Sequence, residues 1–242
     1  IIKQQSENLL ATEGANLNPD DMRHGMWRRN IASALFQPLI ANYSAGDPIA
    51  DLPRQFEAVL FSIEESALPK KYSWEPLFLD EIDAYVYAMW LFSLCVLLHQ
   101  ELFLPRLLAV FNVAKDVNRG TDRLFEALIG KLGLPAVPAD KMLKGRKAHE
   151  ILLEATQCQP EKRSLYVSQF LKKWYPAMKG TYWQGNHELS PETFFGYWAL
   201  EAGLVTYLWD IDDSSYRDLP FYPRDLVDWA RQHKNNTAAS MP

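Results

Sequence analysis

The carboxylates of Asp210, Asp212 and Asp213 follow closely on Glu201, which interrupts a run of aromatic and aliphatic residues, YWALEAGLVTYLW. Hard oxygen donors at this spacing suit Mg²⁺ or Ca²⁺, yet the run lacks the glycine and distal glutamate of an EF-hand loop. A solvated helix-end turn capped by Asp and Ser accounts for the same residues more simply. Glu201 is a candidate general acid, since burial is one way a protein holds a carboxyl protonated for proton transfer. The plainer alternative, which we weigh more heavily, is that it bonds a tyrosine, a tryptophan or a basic group across the core. A helical enzyme with an acidic divalent-metal site around Asp210, Asp212, Asp213 and Glu201 therefore stays open as a secondary reading.

Other chemistries find little support. The histidines, His24, His99, His149, His187 and His233, form no HxxxH pair and have no nearby cysteine, so zinc is not expected. There is no G-x-S-x-G elbow, and neither phosphate-binding glycine pattern occurs. We expect no metal, no cofactor and no catalytic residue.

Charge distribution says more. Between Gly185 and Tyr222 the acids are Glu188, Glu192, Glu201, Asp210, Asp212, Asp213 and Asp218, opposed only by Arg217. From Ser73 to Leu104 they are Glu75, Asp80, Glu81, Asp83 and Glu101, with no lysine or arginine. The stretch from Lys141 to Lys179 is the reverse, with nine bases against Glu150, Glu154 and Glu161. The two acidic, aromatic-rich stretches are expected to lie together as one negative face, suited to rapid capture of a basic protein. Asp80, Glu81, Asp83, Asp210, Asp212, Asp213 and Asp218 would steer the partner, and Tyr216 and Tyr222 would anchor it. Helix capping and solvated helix faces account for part of the same pattern.

The elements that must position these groups are helices. The chain has 242 residues, 48% hydrophobic and 23% charged, with only 11 glycines, and no strand-like alternation persists anywhere. The expected fold is all-α, a compact multi-helix bundle of antiparallel helices in two halves. After an arm at 1–17, Asn18 and Pro19 start a helix running to about Tyr43, with Pro38 expected to kink or split it. Gly46-Asp47-Pro48 turns it into a second helix ending near Ser66, and Leu68 to Pro76 is a connector. A third helix starts near Leu77 and carries the uncharged run Ala84–Leu98, too short to span a membrane. Helices follow at about 101–116 and 121–132, the latter capped by Thr121. A proline-rich linker, 133–145, separates an N-terminal domain (18–132) from a C-terminal one (146–233). The latter holds helices at 146–157 and 161–179, a long aromatic helix started by Ser190 and Pro191, and a closing helix at 225–231. Residues 234–242 form a polar tail.

The net charge of −5 argues against a nucleic-acid binder. Cys95 and Cys158 form no disulfide framework, and IIKQQSEN has no signal-peptide pattern, so a cytoplasmic location is expected. The chain starts without Met, leaving an upstream segment open.

Tyr197 to Arg231, with YWALEAGLV, DIDDSSYRD and FYPRDLVDWAR, resembles the C-terminal domain of the PoNi immunity proteins. Met22 to Leu132, with WRRNIASALFQPLIANYSAG, is similar to their N-terminal domain. The resemblance implies a non-enzymatic, all-α protein that binds and neutralises a PoNe-type DNase toxin delivered by a type VI or related secretion system. It implies a basic nuclease domain as partner, with no direct contact to nucleic acid or membrane. A homodimer, or a helical scaffold or oligomerisation module without a toxin, is the remaining alternative.

Overall fold

In a computed structural model, residues 17–18, 22–67, 77–189 and 193–238 are described. The helix start at Pro19, the connector at 68–76, the cap at Ser190–Pro191 and nearly all of the N-terminal arm lie outside them. The described residues are all-α, with no strand. In chain order the helices are α1 (Met22–Ala45), α2 (Leu52–Ala67), α3 (Ile82–Leu97), α4 (Leu104–Asn112), α5 (Lys115–Asn118), α6 (Arg123–Lys131), α7 (Lys147–Gln157), α8 (Pro160–Ala177), α9 (Asn186–Leu189), α10 (Leu200–Leu208) and α11 (Arg224–Ala238). They divide into two compact units that do not follow chain order. One comprises 1–77, 105–115 and 185–196; the other 78–104, 116–184 and 197–242.

In the first unit α1 and α2 form the expected antiparallel hairpin. Asn42 Nδ2 donates to Gln55 Oε1 at 2.8 Å near the turn, and Ser62 reaches the Arg28 carbonyl towards the other end. The periodicity of α2 is realised, since Leu52, Phe56, Val59, Leu60 and Ile63 are all buried. Pro38 does not split α1, which runs through it. Arg106 of α4 clasps Glu64 of α2 with two bonds, at 2.8 and 2.6 Å.

The second unit is built on α3. This helix starts at Ile82, later than expected, and from Tyr85 onward it is apolar on nearly every side, as befits a helix buried all round. Contact with α10 and α11 depends on Gly203. A Cβ there would stand 2.8 Å from Pro223 Cγ, 3.2 Å from Val227 Cγ2 and 3.3 Å from Leu97 Cδ1. α7 and α8 pair beside it. Trp174 of α8 stacks on Trp183 at 5.6 Å, and Trp183 packs on Trp90 of α3 at 5.1 Å and on Tyr197 at 5.6 Å.

Two expectations change here. The aromatic helix expected from Ser190 begins only at Leu200. The Ala199 N–H is taken by the Phe221 carbonyl at 2.8 Å, and Tyr197 is drawn onto Tyr175 and Trp183. Tertiary contacts thus claim residues that local pattern assigned to a helix. The cap of α6 is Asp122, whose carboxylate accepts the Phe125 N–H at 2.8 Å. Thr121 instead donates to the Asn118 carbonyl. At the other end, α11 continues through Ala238, into the stretch expected as a polar tail.

Residues 133–145 lie inside the second unit and are tied to α6 along their length. Glu126 accepts Arg119 Nε at 2.8 Å, Arg119 Nη2 at 2.9 Å, the Gly120 N–H at 2.9 Å and the Val137 N–H at 2.7 Å. Burial alone would push this carboxyl up, but these donors outweigh it and hold it below the usual range. Arg119 also donates to the Pro135 carbonyl at 2.6 Å, and Asp122 accepts the Leu143 N–H at 3.0 Å.

Candidate partner-binding site

The acidic turn after α10 is held from within. Asp213 is buried, and its carboxylate meets Arg217 Nη1 at 3.2 Å, Arg231 Nη1 at 3.2 Å and the Tyr222 hydroxyl at 2.9 Å. Arg217 continues to Asp228 of α11 at 2.5 Å, and that bond raises its already high pKa. Tyr216 and Tyr222 are 1% and 2% exposed, packed edge to face at 5.1 Å, with Tyr216 bonded to Thr206 at 2.9 Å. Burial pushes both phenols well up. Tyr216, Tyr222 and Asp213, expected on the partner surface, are therefore interior residues that build the turn. The Tyr222 hydroxyl is satisfied by Asp213 and that of Tyr216 by Thr206, so the turn closes on itself and on α10. Asp210, Asp212 and Asp218 remain exposed. Asp212 caps Ser214, accepting its N–H and its hydroxyl at 3.0 Å each, which lowers its pKa. Asp218 pairs with Arg224 at 2.8 Å, both well exposed. Asp213 thus faces guanidinium groups, an unsuitable donor for a cation site. Among the described residues no group of three or more His, Cys, Asp or Glu side chains is placed to hold a metal.

The second acidic stretch has a different character. Asp80 and Glu81 are exposed at the start of α3 and in no ion pair among the described residues, although the Asp80 charge acts on the nearby Arg146 guanidinium. Asp83 is half-buried and accepts the Tyr182 N–H at 3.1 Å; burial raises its pKa and this bond opposes the rise. Tyr182 itself is 53% exposed, beside the buried Trp183. It is the exposed aromatic at this end, and only the chain turn after α8 brings it there.

The two acidic stretches were expected to lie together; Glu101 stands at the same end of α3 as the acidic turn, but Asp80, Glu81 and Asp83 do not. Asp83 and the Asp80 carbonyl sit at the start of α3, while His99, just past its end, bonds the Ala230 carbonyl at 2.9 Å, next to the Arg231 that holds Asp213. α3 has 16 residues, so Asp80, Glu81 and Asp83 are separated from the acidic turn by roughly 24 Å at 1.5 Å per residue. α8 agrees, since Tyr182 follows its last turn and Arg163 in its first turn donates to the Trp209 carbonyl at 3.5 Å.

Glu201 is wholly buried. Its Oε1 accepts Trp174 Nε1 at 2.7 Å and faces His149 Nε2 at 3.3 Å. His149 in turn lies edge-on to Tyr85 at 5.0 Å, and Tyr85 donates to Asp122 at 3.1 Å. A tryptophan and a basic group across the core are the partners weighed for it from sequence. The arrangement ties α3, α6, α7, α8 and α10 together within a sealed interior.

The sequence reading missed the Glu126–Arg119 pair. It is local, seven residues apart, but pairing there needs the chain reversal at Gly120, which no charge pattern displays.

Two family models match the chain. The model described as PoNe immunity protein (PoNi), N-terminal, covers residues 14–109, and that described as PoNe immunity proteins (PoNi), C-terminal, covers residues 120–226. None of the curated proteins compared with the chain matches it. Among solved structures, protein PA2201 from Pseudomonas aeruginosa is similar at 20% identity and a TM-score of 0.62, over 88% of this chain and 77% of that one. That likeness is one of fold.

Proposed function

Because the chain belongs to the PoNe immunity protein family, we propose that it binds a PoNe-type DNase toxin in the cytoplasm of the producing cell and blocks the surface that engages DNA. The toxin would be an effector of a type VI or related secretion system. The observation that carries the reading is the match of both halves of the family, in order, across the chain. A nuclease domain must hold a polyanion and so presents cationic surface. Exposed carboxylates in no ion pair among the described residues complement it, and Asp80 and Glu81 are such groups. Asp210, Asp212 and Asp218 add negative charge at the other end of α3, and Tyr182 replaces the buried tyrosines as the aromatic contact.

The test is to look in the adjacent reading frame for a nuclease and to measure inhibition of its DNA cleavage. One equivalent of this chain should extinguish cleavage, and Asp80→Lys with Glu81→Lys should slow association about tenfold. Absence of any complex with that nuclease rejects the immunity reading, whereas an unchanged association rate for the double variant rejects the role of the acids.

A further inference from the structure

Residues 133–145 contribute no buried side chain, yet they are fixed with unusual thoroughness. Two carboxylates and a guanidinium of low exposure, from Asp122, Glu126 and Arg119, each contribute a bond to this segment, and Glu126 also holds the Gly120 turn beneath it. Gly120 adopts φ +74°, and a Cβ there would come within 2.9 Å of Val137 Cγ1 and 3.2 Å of the Pro138 carbonyl. At the other end of α6 the Gly130 Cα faces Ala136, where a Cβ would stand 3.4 Å from the Ala136 Cβ. Glycine at both places lets the strap seat on the chain beneath it. A core cover would need buried apolar side chains. This strap instead turns Pro135, Ala136 and Pro138 to solvent, followed by the charged Asp140, Lys141 and Lys144. Loops of more than about a dozen residues without secondary structure are uncommon in compact domains and are usually functional when ordered.

Its course joins the two acidic stretches. The strap leaves α6 just after Lys131, whose ammonium lies over the Trp209 ring at 5.2 Å, beside Asp210. It runs back along α6, with the Arg123 N–H donating to the Lys141 carbonyl at 2.9 Å. It ends at Arg146, which donates to the Leu79 and Asp80 carbonyls at 3.3 and 2.8 Å and lies over the Tyr85 ring.

We propose that the strap and the acidic turns at its two ends form one preorganised docking ledge for the cognate toxin, with Pro135, Ala136 and Pro138 at the centre and the carboxylates at the rim. This rests on the immunity function proposed above. The partner chemistry follows from the ledge: a flat apolar patch bordered by lysine or arginine. An apolar centre within a polar rim is the usual anatomy of a specific protein interface, and a strap fixed before binding removes the entropic cost of ordering it.

The test compares binding of the adjacent-frame nuclease to the wild-type chain and to Pro138→Lys with Asp140→Lys. Both side chains are exposed, so the thermal midpoint should hold while dissociation accelerates about tenfold or more. Glu126→Gln, which unpins the strap but leaves its outward side chains, should also weaken binding. Wild-type binding with the surface double variant within about twofold of it overturns the ledge alone. No wild-type binding overturns the immunity reading and the ledge with it. If Glu126→Gln fails to fold, the surface variant alone decides.

Discussion

Neighbouring aspartates in one turn are asked to do opposite things. Asp213 is buried against two guanidinium groups and a phenol, while Asp212, one residue earlier, is exposed and caps Ser214. Removing a charge that others depend on costs the desolvation of those left behind, whereas an exposed cap costs little. Asp213→Asn should therefore lower unfolding free energy by about 2 kcal/mol, and Asp212→Asn by no more than about 0.5 kcal/mol. Denaturant midpoints for the two variants check this, and equal values would mean that Asp213 is not the keystone of the turn. The acidic composition of the turn was legible from sequence. Which carboxylate points inward was not, because Arg231, which meets Asp213, and Asp228, which holds Arg217, are brought to the turn by α11. Glu201 was legible as an anomaly on an apolar run, and its partners Trp174 and His149 lie on two other helices.

At the scale of elements, the agreement between pattern and structure depends on how local the cause is. The α1–α2 hairpin follows from periodicity and the Gly46-Asp47-Pro48 turn. The expected aromatic helix was shortened because Phe221 and Trp183 compete for its first residues. The α3–α10–α11 contact rests on a single missing methyl group. Gly203→Ala would place a Cβ 2.8 Å from Pro223 Cγ, and helix propensity favours the substitution locally. Overpacking should win, with a loss of about 1–3 kcal/mol measured by chemical denaturation. A gain in stability would show that α10 can shift to make room.

Across the whole molecule, charge is distributed so that a net −5 coexists with a basic α7–α8 region. No helix among the described residues is long and apolar enough to cross a membrane. Association with a basic toxin should then be steered by the exposed acids and screened by salt. The association rate is expected to fall about tenfold between about 0.05 and 0.5 M NaCl, with dissociation nearly constant. A salt-independent rate, measured by stopped flow or surface plasmon resonance, would remove steering from the account. Several conclusions needed only the sequence. The helical class follows from scarce glycine, near-helical apolar spacing and the lack of persistent strand-like alternation, because backbone bonding within a helix is local. Membership of the family was legible in the residues from Tyr197 to Arg231. Tertiary structure decided the rest. It turned Tyr216 and Tyr222 inward, set Asp80, Glu81 and Asp83 the length of α3 away from the Asp213 turn, and bonded residues 133–145 to Arg119, Asp122 and Glu126. Exposure and distance arise from contacts between residues far apart in the chain, and the order of residues along it does not carry that information.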